Sequence, residues 1–326
     1  MRHTVAFRCL FPANIPMRLR DPTQPVYAHL FSFGLALCHL MPAPPAHGET
    51  AVSGQLGVGY EYDSNVSVDE LDRNSSLGDN GLLFSADLAV DHDFNDTTSG
   101  SASYAYSRID YEEFDFLSRE THVLGANLST SWEPVTGGIN YFYIQARLDG
   151  DEFLTYHRIS PSLSGFVSKK WFLRAAYVYG DKAIAKRPGR DASNQGGEFD
   201  AYYFWQGLRR YINLGYVYRD ENSRAARFDY SSHQLKLRAV QRFEVFSRLS
   251  TLEFGLRYEN RDYSSPTPSI GERRKDERYR AGVEFEIPVT EQFNWQIYGG
   301  YSDYYSNLPS ADYDQTVVGT RLEFNF

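Results

Sequence analysis

The sequence predicts an all-β protein: a transmembrane, antiparallel, up-and-down β-barrel of about fourteen strands. After residue 48, apolar and polar residues alternate with a period of two, the period of a strand with two different faces. The alternating segments mostly run 10–14 residues, longer than typical soluble strands and long enough to cross a bilayer at a tilt. The connectors between them are alternately short and long, as in outer-membrane barrels.

The composition fits such a barrel better than a helical membrane bundle. Aromatic residues make up 16% of the chain, with 25 Tyr, 22 Phe and 4 Trp. No apolar run after residue 48 reaches the roughly 18 residues of a transmembrane helix. The formal net charge of −9 speaks against nucleic acid as a partner. The short turns recur at a spacing that also resembles propeller blades, but a blade needs four strands per period and only two fit.

Residues 1–48 have the features of a cleaved signal peptide, which leaves residues 49–326 for the barrel. Arginines precede an apolar stretch at 29–41, and small residues and prolines lead to a cleavage-like Ala46-His47-Gly48. Met17 would give a more usual signal length than Met1. An uncleaved membrane anchor is the alternative. We expect signal-directed export to the outer membrane of a bacterium.

Fourteen segments carry the alternation of a membrane-crossing strand. They are 52–62, 82–94, 99–111, 120–132, 137–149, 155–168, 171–180, 197–207, 210–220, 228–245, 250–262, 277–287, 292–303 and 314–326. The long connectors include Asp63–Asn80, Asp181–Gly196 and Ser264–Asp276. An even strand number puts both termini at the short-turn end and lets the first strand pair with the last.

Aromatic residues should form girdles where the barrel meets the lipid headgroups. The set beside the short turns is Phe94, Trp132, Trp171, Tyr211, Phe246, Phe293 and Trp295. The C-terminal strand ends with Leu322, Phe324 and Phe326 on one face. This ending resembles the signal by which the outer-membrane barrel assembly machinery recognises its substrates. We therefore expect that machinery and outer-membrane lipids as partners.

The polar face of each strand should line a lumen. Fourteen strands about 4.8 Å apart and tilted by roughly 40° close into a cylinder about 28 Å across. The densest charged wall is predicted at Arg238, Arg257, Glu259, Arg278, Arg280, Glu284, Arg321 and Glu323. These charges either neutralise one another or guide an ionic solute or sugar acid, and we favour the first interpretation. Further inward-facing residues are predicted at Tyr141, Tyr143, Arg147, Tyr202, Phe204 and Tyr298.

Catalytic and cofactor motifs are missing from the sequence. The histidines after residue 48 lie on different segments without the spacing of metal ligands, and no phosphate loop or nucleophile elbow occurs. The acidic run Asp69-Glu70-Leu71-Asp72 offers oxygen atoms for calcium, but it lacks the glycine and terminal glutamate of an EF-hand. We therefore predict no enzyme, no cofactor and no metal site.

The first strand carries a motif of its own. Residues 57–66 read Gly-Val-Gly-Tyr-Glu-Tyr-Asp-Ser-Asn-Val, with Gly59, Tyr60, Asp63, Ser64 and Asn65 as the distinctive positions. This motif and the terminal Phe resemble the C-terminal barrel of the surface lipoprotein assembly modifiers. The resemblance implies fourteen strands and a role in moving lipoproteins to the cell surface. The helical repeats of that family do not precede this barrel, so we expect that the protein either borrows them from a periplasmic helical-repeat protein or has a different role. The alternative is structural: the glycines relieve crowding at barrel closure and Asp-Ser-Asn starts the loop.

The sequence leaves three functions open. The first is an outer-membrane channel for small hydrophilic solutes, saccharides included. The second is a barrel for translocation or secretion of surface lipoproteins. The third is a structural or adhesive barrel whose lumen is plugged.

Overall fold

The computed structural model describes residues 48–326, so the predicted signal peptide lies outside the described residues except for Gly48. The strands are β1 (Thr50–Asp63), β2 (Ser67–Val68), β3 (Arg73–Asn74), β4 (Asp79–Asp93), β5 (Thr98–Tyr111), β6 (Arg119–Trp132), β7 (Val135–Leu148), β8 (Asp151–Phe166), β9 (Trp171–Ile184), β10 (Ala192–Phe204), β11 (Arg210–Ser223), β12 (Tyr230–Val245), β13 (Arg248–Thr267), β14 (Glu272–Pro288), β15 (Phe293–Ser306) and β16 (Tyr313–Asn325). All except β2 and β3 form one closed antiparallel barrel. The predicted fold class and the fourteen-strand count are confirmed.

Several strands extend further at the loop end than the sequence predicted. The connectors predicted at 181–196 and 264–276 are wrong in extent, since only 185–191 and 268–271 lie between the strands there. The alternation of apolar and polar residues requires one lipid-facing side. Beyond that region no lipid-facing side is required, but backbone pairing between neighbouring strands continues.

The two faces of the barrel differ as an outer-membrane barrel requires. On β1, the side chains of Leu56 and Val58 are exposed on the outside, whereas Glu61 and Asp63 on the other face are buried. An apolar exterior with a polar interior reverses the pattern of a soluble protein and matches a wall between lipid and water. No helix in the described part of the chain is both long enough and apolar enough to span a membrane.

The barrel closes where β1 meets β16. The backbone N–H of Phe326 donates to the Gly54 carbonyl at 3.0 Å, and the Gly54 N–H donates to the Phe326 carbonyl at 2.8 Å. At Gly59, a Cβ atom would lie 2.6 Å from the Thr320 carbonyl oxygen and 3.2 Å from the Arg321 Cβ. Glycine is needed there because the facing strand approaches too closely for a side chain.

The outer surface near the loop end carries three tyrosine–histidine pairs. Each joins a tyrosine hydroxyl to the Nδ1 atom of a histidine on the next barrel strand: Tyr104 and His122 at 2.8 Å, Tyr141 and His157 at 2.8 Å, and Tyr216 and His233 at 2.7 Å. The prediction that Tyr141 and Tyr143 face the lumen is therefore wrong. Both pack around His157 on the outside.

The aromatic girdle at the short turns is present with one exception. Phe94, Trp132, Trp171 and Phe246 are exposed on the outside, but Tyr211 is not. Tyr211 packs inside the barrel against Phe204, with ring centroids 5.5 Å apart, and also against Tyr202.

Candidate functional site: the lumen and the loop that crosses it

The structure places the eight predicted charged residues on the inward face of β12, β13, β14 and β16. The strand register sets Arg257 opposite Arg280 and Glu259 opposite Arg278. On one row of the register, Lys236, Arg257 and Arg280 lie side by side on β12, β13 and β14. Like charges on adjacent strands repel, so this row needs compensation from acidic groups nearby.

Part of that compensation comes from ion pairs within the wall. Arg261 pairs with Glu259 at 2.7 Å, Arg321 pairs with Glu323 at 3.4 Å, and Arg238 pairs with Glu253. Across the next strands, Arg158 and Arg174 both contact Glu198, at 2.8 and 3.5 Å. Glu284 lies directly opposite Glu253 on the register, so two carboxylates also meet on this wall.

The remaining arc of the lumen has a different chemistry. Between residues 99 and 146, the inward positions of β5, β6 and β7 carry one charged side chain, Arg119 at the loop end of β6. Small polar side chains dominate there: Ser99, Ser101, Ser103, Ser107, Thr121, Asn127, Ser129 and Asn140. The lumen therefore has a charged arc facing an arc of mostly small polar side chains that can donate and accept hydrogen bonds.

The connector between β1 and β4, residues 64–78, is here named loop 1. It forms a small hairpin of β2 and β3, with a turn of 3₁₀-helix at Asp69–Leu71 and a left-handed Asp72 at its tip. Loop 1 contacts strands on two opposite sides of the barrel.

One side of loop 1 binds the basic wall. Asp69 accepts a hydrogen bond from Arg280 at 3.2 Å and lies 3.7 Å from a nitrogen of Arg278. The hydroxyl of Tyr313 donates to the same carboxylate at 2.6 Å, and that of Tyr304 at 3.4 Å. Loop 1 thus supplies acidic charge to the basic row of β12–β14.

The other side of loop 1 packs against apolar residues of β7, β8 and β9. Val68 is buried in a cluster with Ala146, Phe153, Leu154 and Ile184. In the ring of fourteen strands, β7 is seven strands from β14 in either direction. Loop 1 therefore crosses the lumen from one wall to the opposite wall.

Asp72 fixes the tip of loop 1 at the loop end of the barrel. Its carboxylate pairs with Arg274 of β14 at 2.8 Å and with Arg190, which lies between β9 and β10. Arg190 also donates to the Glu70 carbonyl at 2.8 Å. Arginines thus engage the carboxylates of Asp69 and Asp72, two of the three acidic residues of the run 69–72. Within residues 48–326, no three His, Cys, Asp or Glu side chains are grouped to hold a metal ion.

The electrostatics of the tip favour this closed arrangement. Burial alone would raise the pKa of Asp69, but Arg278, Arg280 and the Tyr313 hydroxyl outweigh it, so this pKa lies below its usual value. Burial is likewise outweighed at Asp72, whose pKa is lowered by Arg274 and Arg190. At Glu70, burial and the charge of Asp69 raise the pKa.

The residues of the strand-1 motif hold the base of loop 1. Asp63 accepts hydrogen bonds from the Asn65 backbone N–H at 3.0 Å and from Gln315 at 2.7 Å. The Ser64 hydroxyl accepts from the Thr316 N–H at 2.8 Å. Tyr60 points outward and donates to Glu112 at 3.0 Å. Local loop geometry therefore accounts for Asp63, Ser64 and Asn65.

The inward aromatic residues are mostly occupied by packing or hydrogen bonding. Tyr202 and Phe204 stack at the short-turn end with centroids 6.2 Å apart, beside Phe172. Tyr298 donates to Glu61 at 2.7 Å. Arg147 does not face the lumen as predicted; it lies half-exposed beside Glu120, next to an irregularity in the β7–β8 pairing.

The sequence analysis missed the residues that hold loop 1 closed. Asp72, Arg190 and Arg274 are separated by more than 80 residues from one another, and only the fold brings them together. The acidic run 69–72 was the one signal in the sequence that could have predicted these contacts, because acidic residues near a basic wall are expected to form ion pairs with it.

Comparison with known proteins shows the fold. No protein-family model matches the chain, and no curated protein is significantly similar in sequence. Among solved structures, a form of OmpT of Vibrio cholerae lacking loop L8 is 10% identical; the match covers 86% of this chain and 100% of that one, with a TM-score of 0.51. The outer membrane channel DcaP of Acinetobacter baumannii is 9% identical over 86% and 97% of the two chains, with a TM-score of 0.50. The chain has the fold of bacterial outer-membrane barrels.

Proposed function

We propose that this protein is an outer-membrane channel for small hydrophilic solutes, saccharides included, with loop 1 as its constriction. The observation that carries the proposal is the closed barrel whose inner wall is largely polar, crossed by one loop held through ion pairs. Hydroxyl and amide groups on β5–β7 supply hydrogen bonds for sugars, opposite a charged arc. The fold is shared with a protein described as an outer membrane channel.

Liposome swelling tests this function directly. Vesicles containing the purified chain 49–326 are diluted into isotonic sugars of increasing size. We expect swelling rates above those of protein-free vesicles for a pentose, falling steeply with larger oligosaccharides. Equal rates with and without protein for every sugar would contradict a channel.

The plugged barrel is a second candidate, because loop 1 contacts opposite walls of the lumen. In a barrel plugged by loop 1, no sugar would enter vesicles that contain the unmodified chain, and sugars would enter only after loop 1 is removed. The surface lipoprotein role, with its helical-repeat partner, stays a prediction, as do the assembly machinery and outer-membrane lipids as partners.

A further inference from the structure

A cavity of about 360 Å³ lies against the tip of loop 1 at the loop end of the barrel. Its lining comes from five separate connecting regions, which include Leu71 of loop 1, Phe228 between β11 and β12, and Leu308 between β15 and β16. This volume falls in the range of small-molecule sites, near the lower end. The cavity borders the ion pairs of Asp72 with Arg190 and Arg274 that fix the tip of loop 1.

The lining of this cavity is strongly basic. Three arginines line it, Arg190, Arg227 and Arg274, and Asp72 is its one acidic lining residue. Arg190 and Arg274 are engaged by Asp72, whereas Arg227 forms no ion pair with any residue that the structure describes. The cavity therefore presents an uncompensated guanidinium beside two others.

The guanidinium groups are held in place by an aromatic ring. The Cζ atom of Arg190 lies 4.2 Å from the centroid of Phe228, and that of Arg227 lies 4.7 Å from it. Cation–π contacts of this kind fix the planar groups without using their N–H donors. The donors of Arg227 therefore stay available for a carboxylate, which two N–H groups of one arginine can bind together, whereas those of Arg190 are shared with Asp72 and the Glu70 carbonyl.

Hydroxyl groups line the same cavity. Thr267, Ser269 and Ser310 contribute to its wall, close to Arg274. Hydroxyls donate and accept hydrogen bonds, which suits a ligand with several hydroxyls of its own. The cavity thus combines donors for a carboxylate with partners for a sugar ring.

We propose that this cavity binds a small free sugar acid, whose carboxylate is held by Arg227 and Arg190 in competition with Asp72. The ligand takes the place of the Asp72 carboxylate at Arg190, and Arg227 provides the charge that no residue of the chain neutralises. Because Asp72 fixes the tip of loop 1, occupancy of the cavity weakens the attachment of the loop. This site goes beyond the proposed channel, since binding here does not require conduction.

Isothermal titration calorimetry with the folded chain 49–326 in detergent tests the site. The probes are glucuronate and the neutral sugar glucose. We expect glucuronate to bind and glucose to bind at least tenfold more weakly. Arg227→Gln should weaken glucuronate binding by about tenfold, the effect of losing one charged hydrogen bond. Asp72→Asn, which removes the internal competitor, should tighten it.

Lys186→Gln is the matched control, because Lys186 is an exposed lysine of a loop-end connector that does not line the cavity and pairs with Asp151 at 2.6 Å. It removes the same charge away from the cavity, and binding should not change. The proposal is overturned if glucuronate does not bind, if glucose binds equally well, or if Lys186→Gln weakens binding as much as Arg227→Gln. Calorimetry reads binding whether or not the barrel conducts, so a failure here leaves the channel proposal standing.

Discussion

On the outer surface of this barrel, tyrosine hydroxyls supply hydrogen-bond partners for histidine ring nitrogens. Each of three histidines lies on the outward face, where lipid cannot satisfy its ring nitrogens. In each case a tyrosine hydroxyl from the neighbouring strand bonds Nδ1 at 2.7–2.8 Å, and the next outward tyrosine packs its ring 5.0–5.2 Å from the histidine ring. A tyrosine is apolar along its ring and polar at its end, which suits the interface between lipid and water.

Tyr141→Phe tests one of these pairs. Removal of the hydroxyl leaves the Nδ1 atom of His157 without its partner, so we expect the free energy of unfolding to fall by about 1 kcal/mol. The measurement is urea-induced unfolding in phospholipid vesicles, followed by tryptophan fluorescence. Tyr143→Phe is the control, because Tyr143 contacts His157 through its ring but donates no hydrogen bond to it. If the two variants lose equal stability, the hydrogen bond has no special role.

Loop 1 is the element that distinguishes this barrel from a plain pore, and sequence analysis could not predict its position. The loop contacts β14 on one side and β7–β9 on the other. Its insertion also explains why the faces of β7 were predicted wrongly. Ile144 and Ala146 point inward and are completely buried, so the inner face is apolar there and the outer face carries the tyrosines. The rule that polar residues face the lumen fails where a loop fills it.

The attachment of loop 1 should depend on pH in a defined direction. The pKa values of Asp69 and Asp72 are lowered, so their ion pairs stabilise the closed loop at neutral pH. This stabilisation is lost only as the pH falls through those lowered values, below the usual pKa of Asp of about 3.9. The pKa of Glu70 is raised, so its protonation on mild acidification favours the closed loop.

A spin label at Arg73→Cys measures this behaviour, because residues 49–326 contain no cysteine. We expect an immobilised spectrum from neutral pH down to about pH 4, and increasing mobility only as the pH falls further, through the lowered pKa values of Asp69 and Asp72. The double variant Asp69→Asn, Asp72→Asn should be mobile already at neutral pH. A label at Lys186 serves as the control and should not respond to that double variant. An immobilised loop in the double variant would show that the ion pairs do not hold it.

The overall fold of the molecule is predicted by the pattern of its sequence more than by particular residues. Strand length, alternation and the even strand count predicted the closed barrel, and solved barrels with about 10% identity share its fold. Those signals are local, because each strand must present one face to lipid. The ion pairs that shape the lumen join residues far apart in sequence, such as Asp69 with Arg280 and Asp72 with Arg274. Which residues form these pairs can be told only once the strands are arranged in the closed barrel.

Single-channel recording tests the central claim, that a water-filled lumen is restricted by loop 1. The chain 49–326 is compared in planar bilayers with a variant in which residues 67–74 are replaced by two glycines. We expect small or brief openings for the unmodified chain and a steady, several-fold larger conductance for the variant. Identical conductance in both, or no conductance in either, would contradict the account.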